Sequence, residues 1–121
     1  MEKRVLWVSR HNMTKEQFSD LCRIYGDVDV KQFPETISSA KQVVELGADC
    51  DVLAVVLPAA FLADLTNPRI NTKPVIRAIA DRIPTGKTIV NPATGKEEPE
   101  MMFRHAGWER VVKVEIVTER L

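Results

Sequence analysis

An excess of charge of either sign is missing from this sequence: seventeen basic side chains face seventeen acidic ones. Duplex DNA and anionic membrane surfaces favour a positive surplus, so neither is an expected partner of the chain. Cysteine is scarce. Cys22 and Cys50 are too few for a disulfide framework and have no metal-ligand spacing. They read as reduced thiols, one of them buried, in a cytoplasmic protein. Only five glycines are present, and none forms Gly-x-Gly-x-x-Gly, which excludes the usual dinucleotide fingerprint. No apolar run approaches a membrane span, and Met1-Glu2-Lys3-Arg4 leads into a strand with no secretory segment after it. His-x-x-x-His, Gly-x-Ser-x-Gly and an informative Cys–His pair are also missing, so metal and serine hydrolases have no support and no cofactor is expected.

What remains is 121 residues, 45% of them hydrophobic, which suits one ordinary domain with its own core. The run 5–8, Val-Leu-Trp-Val, reads as a strand buried on both faces. Thr14-Lys15-Glu16-Gln17 has the form of a capping box. Phe18, Leu21, Cys22 and Tyr25 then share one helical face, and Gly26 ends the helix. Residues 27–33 alternate as a half-exposed strand near an edge, stopped by Pro34. A helix is expected over 37–46, with Ile37, Ala40, Val43 and Val44 on its buried stripe. The most apolar stretch, 52–57, is the expected central strand. Pro58 suits the first turn of a third helix, which buries Phe61, Leu62 and Leu65 and closes at Asn67-Pro68.

Strand and helix thus alternate three times. Right-handed crossovers turn that order into an α/β, Rossmann-like three-layer fold with a parallel first half in the order 2-1-3. The second half predicts a β extension. Residues 74–80 read as a strand in preference to a short helix, with a turn at Thr85-Gly86. A short strand follows at 87–90, then turn chemistry at 92–96, then a returning arm at 101–104. Gly107 is expected to break the chain, and 108–118 alternates as a long terminal strand.

In this architecture ligands bind beyond the carboxyl ends of the strands, at the switch point between strands one and three. The two loops there carry Ser9, Arg10, His11 and Asn12, and Pro58, Ala59 and Ala60. A guanidinium can fork onto phosphate oxygens, a hydroxyl can donate to the same group, and an imidazole can donate or pass a proton. Ser9, Arg10, His11, Asn12, Pro58 and Ala59 are therefore the candidate ligand-binding residues, with Arg10 and His11 the candidate catalytic pair. The competing reading pairs Arg10 with a carboxylate and leaves His11 to cap a loop. A wider basic patch would need Arg10, Arg69, Lys73, Arg77, Arg82 and Lys87 to converge in space.

Other constellations favour bland explanations. Gly86-Lys87-Thr88 has the ending of a phosphate-binding loop, but Asp81 stands where that pattern needs glycine, and a hairpin turn explains it better. Glu97, Glu98 and Glu100 beside Lys96 read as a solvated loop tip. Arg104-His105 before Gly107-Trp108 reads as a strand end with a core tryptophan.

At Val8-Ser9-Arg10-His11, and at the run 51–58 ending in Leu57-Pro58, the chain resembles small CRISPR-associated proteins of the ring-nuclease type. These are similar to the Rossmann-like domains that sense cyclic oligoadenylate. They open with a strand ending in Ser/Thr-Arg-His, and their third strand runs into Leu-Pro and a helix. The resemblance spans roughly the first half of the chain. It implies a nucleotide-like ligand, a role in antiviral defence, and a homodimer with a cyclic ligand across the two carboxyl-end faces. It also implies cleavage without metal. A ribose 2′-hydroxyl attacks its own phosphorus, Arg10 and Ser9 stabilise the charge, and His11 protonates the leaving oxygen. Asn12-Met13 departs from the family's Pro-Gly-like turn, and 87–121 has no counterpart there. The alternative class is a non-enzymatic module that associates through the C-terminal hairpin and strand.

Overall fold

The computed structural model describes residues 2–115 and 117–121. Among them are five strands in one sheet and three helices, in the order β1 (Lys3–Val8), α1 (Lys15–Tyr25), β2 (Val28–Phe33), α2 (Ala40–Leu46), β3 (Val52–Val55), α3 (Ala59–Leu65), β4 (Val75–Val90) and β5 (Glu97–Arg110). The sheet order is β2-β1-β3-β4-β5. β1 pairs parallel with both β2 and β3, as the alternating strand–helix pattern predicts.

Side chains alternate across the strands and build two cores. Val5 and Trp7 of β1, with Val52 and Ala54 of β3, pack against Leu21 of α1. Leu6, Val8, Leu53 and Val55 point the other way, against Val43 of α2 and Leu62 and Leu65 of α3. Helices therefore cover both faces, and β1 and β3 must be apolar at every position from Val5 and Val52 onward. β2 is the edge strand on the side away from β4 and β5 and is only partly buried.

The helix starts follow local chemistry. Thr14 Oγ1 accepts from Gln17 N–H at 3.1 Å, and Gln17 Oε1 accepts from Thr14 N–H at 2.9 Å, closing the capping box. Gly26, at φ +82°, ends α1 and sends its N–H to the Cys22 carbonyl. The second helix begins later than its apolar stripe suggests. Ser39 caps it through Gln42 N–H, so Ile37 belongs to the preceding loop although it is buried. Pro58 stands at the cap of α3, just outside the helix, with ψ 156°. Both cysteines are free; Cys50 is the buried one and Cys22 is half-buried. No described helix is long and apolar enough to cross a membrane.

The second half departs from expectation in three places, each for a reason of pairing. β4 runs unbroken from Val75 to Val90, through Thr85-Gly86. The expected turn there is a register shift between Pro84 and Thr88, with Gly86 at φ +87°. Gly86-Lys87-Thr88 thus lies in and beside a bulge and not in a hairpin turn. Gly107 likewise does not break the chain; β5 absorbs a bulge opposite Ile79 and Ala80 and continues. The turn expected at 92–96 is present, closed where Asn91 N–H donates to the Lys96 carbonyl. Glu97, Glu98 and Glu100 therefore begin β5 and do not form the loop tip.

The expected terminal strand over 108–118 is also corrected. Only Trp108 to Arg110 is strand, and 111–115 and 117–121 are irregular; Ile116 lies outside the described residues. β5 is antiparallel to β4, and β4 begins at Val75. Val111 N–H donates to the Val75 carbonyl at 2.8 Å, and beyond that the described residues offer no partner strand. The tail instead lays Val111 and Val114 against the core beneath α3.

β4 touches β3 only at Leu53↔Val75 and Ala54↔Ile76. From Arg77 onward, among the described residues, β5 is its only paired strand, so the two strands leave the sheet as a two-stranded arm. Because β4 is parallel to β3, the arm projects past the carboxyl end of the sheet.

Candidate functional site

The loops after β1 and β3 open side by side at that carboxyl end. Val56 N–H donates to the Val8 carbonyl at 3.0 Å, which fixes their relative height. Two clefts flank the β1 loop, one on each side of the sheet. The cleft on the α2 and α3 side has a volume of about 360 Å³ and is lined by Ser9, Arg10, His11, Glu35, Thr36, Val56, Leu57, Pro58 and Phe61. The cleft on the α1 side, about 450 Å³, is lined by Trp7, Ser9, His11, Asn12, Thr14, Gln17, Leu57 and Arg77. Ser9 and His11 line both.

The β1 loop is held from beneath. Ser9 is buried, its Oγ accepts from His11 N–H at 3.1 Å, and its own N–H donates to the Phe33 carbonyl. The His11 carbonyl accepts from Trp7 Nε1 at 2.9 Å and from Gln32 Nε2 at 3.2 Å. The backbone is thus pinned while the side chains of Arg10 and His11 remain exposed. His11 holds the loop through its main chain, and among the described residues its imidazole has no hydrogen-bond partner.

Among the described residues Arg10 meets no carboxylate. Its Nη2 donates to Thr36 Oγ1 at 2.6 Å. The contrast at the opposite end of β1 is instructive. Arg4 lies 3.0 Å from Asp29 and 2.8 Å from Asp49, and hydrogen bonds to those carboxylates, Asp29 first, raise its pKa above the ordinary arginine value. Lys31 joins the same cluster, and its hydrogen bond is the main cause of the lowered pKa of Asp49. The amino end of the sheet pairs its cations with carboxylates; at the carboxyl end, among the described residues, the Arg10 guanidinium is paired to a hydroxyl alone.

The six candidate residues do not all meet in one place. Ser9, Arg10, His11 and Pro58 line the α2/α3-side cleft. Asn12 lines the other cleft, and Ala59, the first residue of α3, is exposed and lines neither. The wider basic patch does not assemble. Lys73 donates to the Gly47 and Ala48 carbonyls, Arg77 pairs with Glu109, and Arg82 lies over the Phe103 ring. Glu35 and Thr36 line the cleft but went unnoticed in the sequence, where they follow Pro34 with no motif; their place next to Arg10 comes from the pairing of β2 with β1.

His105 is not at this site, nor at a strand end. It sits inside β5 and its Nε2 lies 3.0 Å from Asp20 Oδ2 of α1. A carboxylate only accepts, so Nε2 carries a proton, and among the described residues the buried Nδ1 has no partner. Asp20 also accepts from Arg23, and His105 and Arg23, in that order, lower its pKa. Trp108 Nε1 donates to the Gln17 carbonyl at 3.1 Å, and its ring meets Trp7 edge-on at 5.8 Å. These contacts clamp the root of the arm to α1. Neither a family model, nor a curated protein, nor a solved structure matches the chain.

Proposed function

We propose that the protein binds a phosphate-bearing, nucleotide-like ligand in the cleft between Arg10, Thr36 and Pro58. The observation that carries this reading is the state of Arg10: a guanidinium at the mouth of a cleft, held by one neutral hydroxyl, in a fold whose other end pairs Arg4 with two carboxylates. A phosphate would complete the remaining donors of Arg10 by charge-assisted hydrogen bonds. Glu35 on the same wall can accept from a sugar hydroxyl, and Phe61, Leu57 and Val56 offer apolar surface to a base. The cyclic oligoadenylates suggested by the Ser9-Arg10-His11 resemblance have all three features, so they are the first ligands to test.

Such a ring can be opened without metal. The 2′-hydroxyl gives its proton to solvent water and its oxygen forms a bond to the adjacent phosphorus as the bond from phosphorus to the 5′-oxygen breaks, leaving a 2′,3′-cyclic phosphate and a free 5′-hydroxyl. Arg10 would stabilise the extra charge on the phosphoryl oxygens, and His11 would give the 5′-oxygen its proton.

Calorimetric titration with cyclic tri-, tetra- and hexa-adenylate, beside AMP and ATP, tests the reading, with chromatography of the mixtures after incubation. Saturable binding by the wild type is expected, weakened about tenfold or more by Arg10→Ala while the melting temperature holds. A linear product ending in a cyclic phosphate marks a nuclease, and an unchanged ring marks a binder. No binding by any of these nucleotides, or equal binding by Arg10→Ala, overturns the proposal.

A further inference from the structure

Two-stranded ribbons are marginal in water when nothing covers them. Beyond its root, this arm carries its apolar side chains in the open: Phe103 is 71% exposed, Val90 62% and Met102 47%. Its edges are poor templates for strand addition, because Pro84 and Pro99 remove donors and two register shifts interrupt the ladder. The faces are therefore the adhesive part.

The two faces differ. Strand alternation from the paired positions puts Asp81, Ile83, Met102 and Arg104 on one face, where Arg104 and Asp81 pair with each other. The other face, continuous with the side that α1 covers at the root, presents Arg82, Phe103, Pro84, Met101, Val90 and Glu97. Arg82 stands near its base, over the Phe103 ring, and Glu97 stands at its tip. Among the described residues neither Arg82 nor Glu97 has an ion-pair partner.

We infer that this face is the interface between two copies of the chain, packed antiparallel about a twofold axis crossing the arm between the Pro84–Met101 and Thr88–Pro99 levels. That placement lays β4 on β4 and β5 on β5, with the Arg82–Phe103 level of one copy against the Val90–Glu97 level of the other. Because the Arg82 guanidinium leans over Phe103 toward β5, it meets Glu97 of the other copy on the diagonal, and Phe103 meets Val90, twice by symmetry. Opposite charges meet, and the most exposed aromatic meets the most exposed aliphatic side chain of the arm. Along β5 this face runs over the seven residues 97–103, about 24 Å at ~3.4 Å each and roughly 10 Å wide for two strands, or ~500 Å² over both copies, the size of a weak, reversible contact whose specificity comes from the charge pairing. The inference is independent of the ligand cleft.

Sedimentation velocity on the full chain, from micromolar to near-millimolar, is the test. A reversible dimer is expected, with Phe103→Asp weakening it about tenfold or more. Arg82→Glu and Glu97→Arg should each be monomeric alone, because each brings like charges together. Mixed in equal amounts, those two variants should form a heterodimer, since every facing pair is then of opposite sign. Circular dichroism checks that each is folded, and the mixing result stands even if Phe103→Asp fails to fold. A wild-type chain that stays monomeric throughout, or a mixture no more associated than its components, overturns the inference; the arm would then belong to a different protein.

Discussion

Leu53 and Phe103 lie on strands of the same sheet and have opposite surroundings. Leu53 is fully buried in β3, enclosed by strands on both sides and by helices on one face. Phe103 lies in β5, beyond the last helix, with one neighbouring strand and a single arginine over its ring. Full burial of such a side chain stabilises by about 1.5–3 kcal/mol, so β3 is held by its environment while the outer arm is held chiefly by its own ladder. The molecule thus divides into a layered body that positions a cleft and a ribbon whose covering must come from elsewhere. Arg10 and Arg82 share this contrast: each is a cation without a carboxylate partner among the described residues, one over a cleft and one on an exposed face.

The largest effect should come from the centre. Leu53→Ala should destabilise by about 2–5 kcal/mol in urea unfolding, while Phe103→Ala in dilute solution should stay within about 0.5 kcal/mol of wild type. Equal costs would abolish the division into body and arm. Next is Gly47, at the end of α2. Its backbone is ordinary, but an added Cβ would overlap the Leu53 side chain, so Gly47→Ala should lose about 1–3 kcal/mol through overpacking. An unchanged midpoint would show the core giving way at little cost.

The seam between body and arm should be sensitive to acid. Asp20 is held below its ordinary value of 3.8 by His105 and then Arg23. A depressed carboxyl pKa contributes stability that is complete above the ordinary value and lost as pH falls through the depressed one. Thermal melts of wild type and Asp20→Asn should therefore differ at neutral pH and converge in strong acid. A gap that persists unchanged into acid would assign the effect to packing. The smallest effect on stability belongs to Arg10→Ala, within about 0.5 kcal/mol, because one exposed hydrogen bond to Thr36 is all the body loses. A marked drop in melting temperature would make Arg10 a structural residue.

The body was readable in advance because its signals are local. The capping box at Thr14 and Gln17, the glycine stop at Gly26 and the apolar runs in β1 and β3 each lie within a few residues. The strand order 2-1-3 follows from strand–helix alternation and crossover handedness. The arm was read in fragments for the converse reason. Thr85-Gly86 and Gly107 carry turn chemistry, yet each sits in a ladder whose flanking residues stay paired, and the paired residues prevail over the local preference. Of the candidate site, Ser9, Arg10, His11 and Pro58 were legible from their positions at strand ends. Glu35 and Thr36 were not, because nothing near Pro34 records that β2 lies next to β1.

By itself the sequence determined which segments are helix and strand in the first half, which sides of them are apolar, and that Arg10 and Pro58 sit at the same end of adjacent strands. Those properties reside in residues a turn or a pleat apart. Tertiary structure alone decided that β4 outruns the sheet, that β5 ends where Val75 leaves it without a partner, and that Arg10 meets a hydroxyl while Arg4 meets two carboxylates. A β ladder extends only as far as its partner, and an ion pair depends on what the fold brings near; both are relations between residues far apart in the chain.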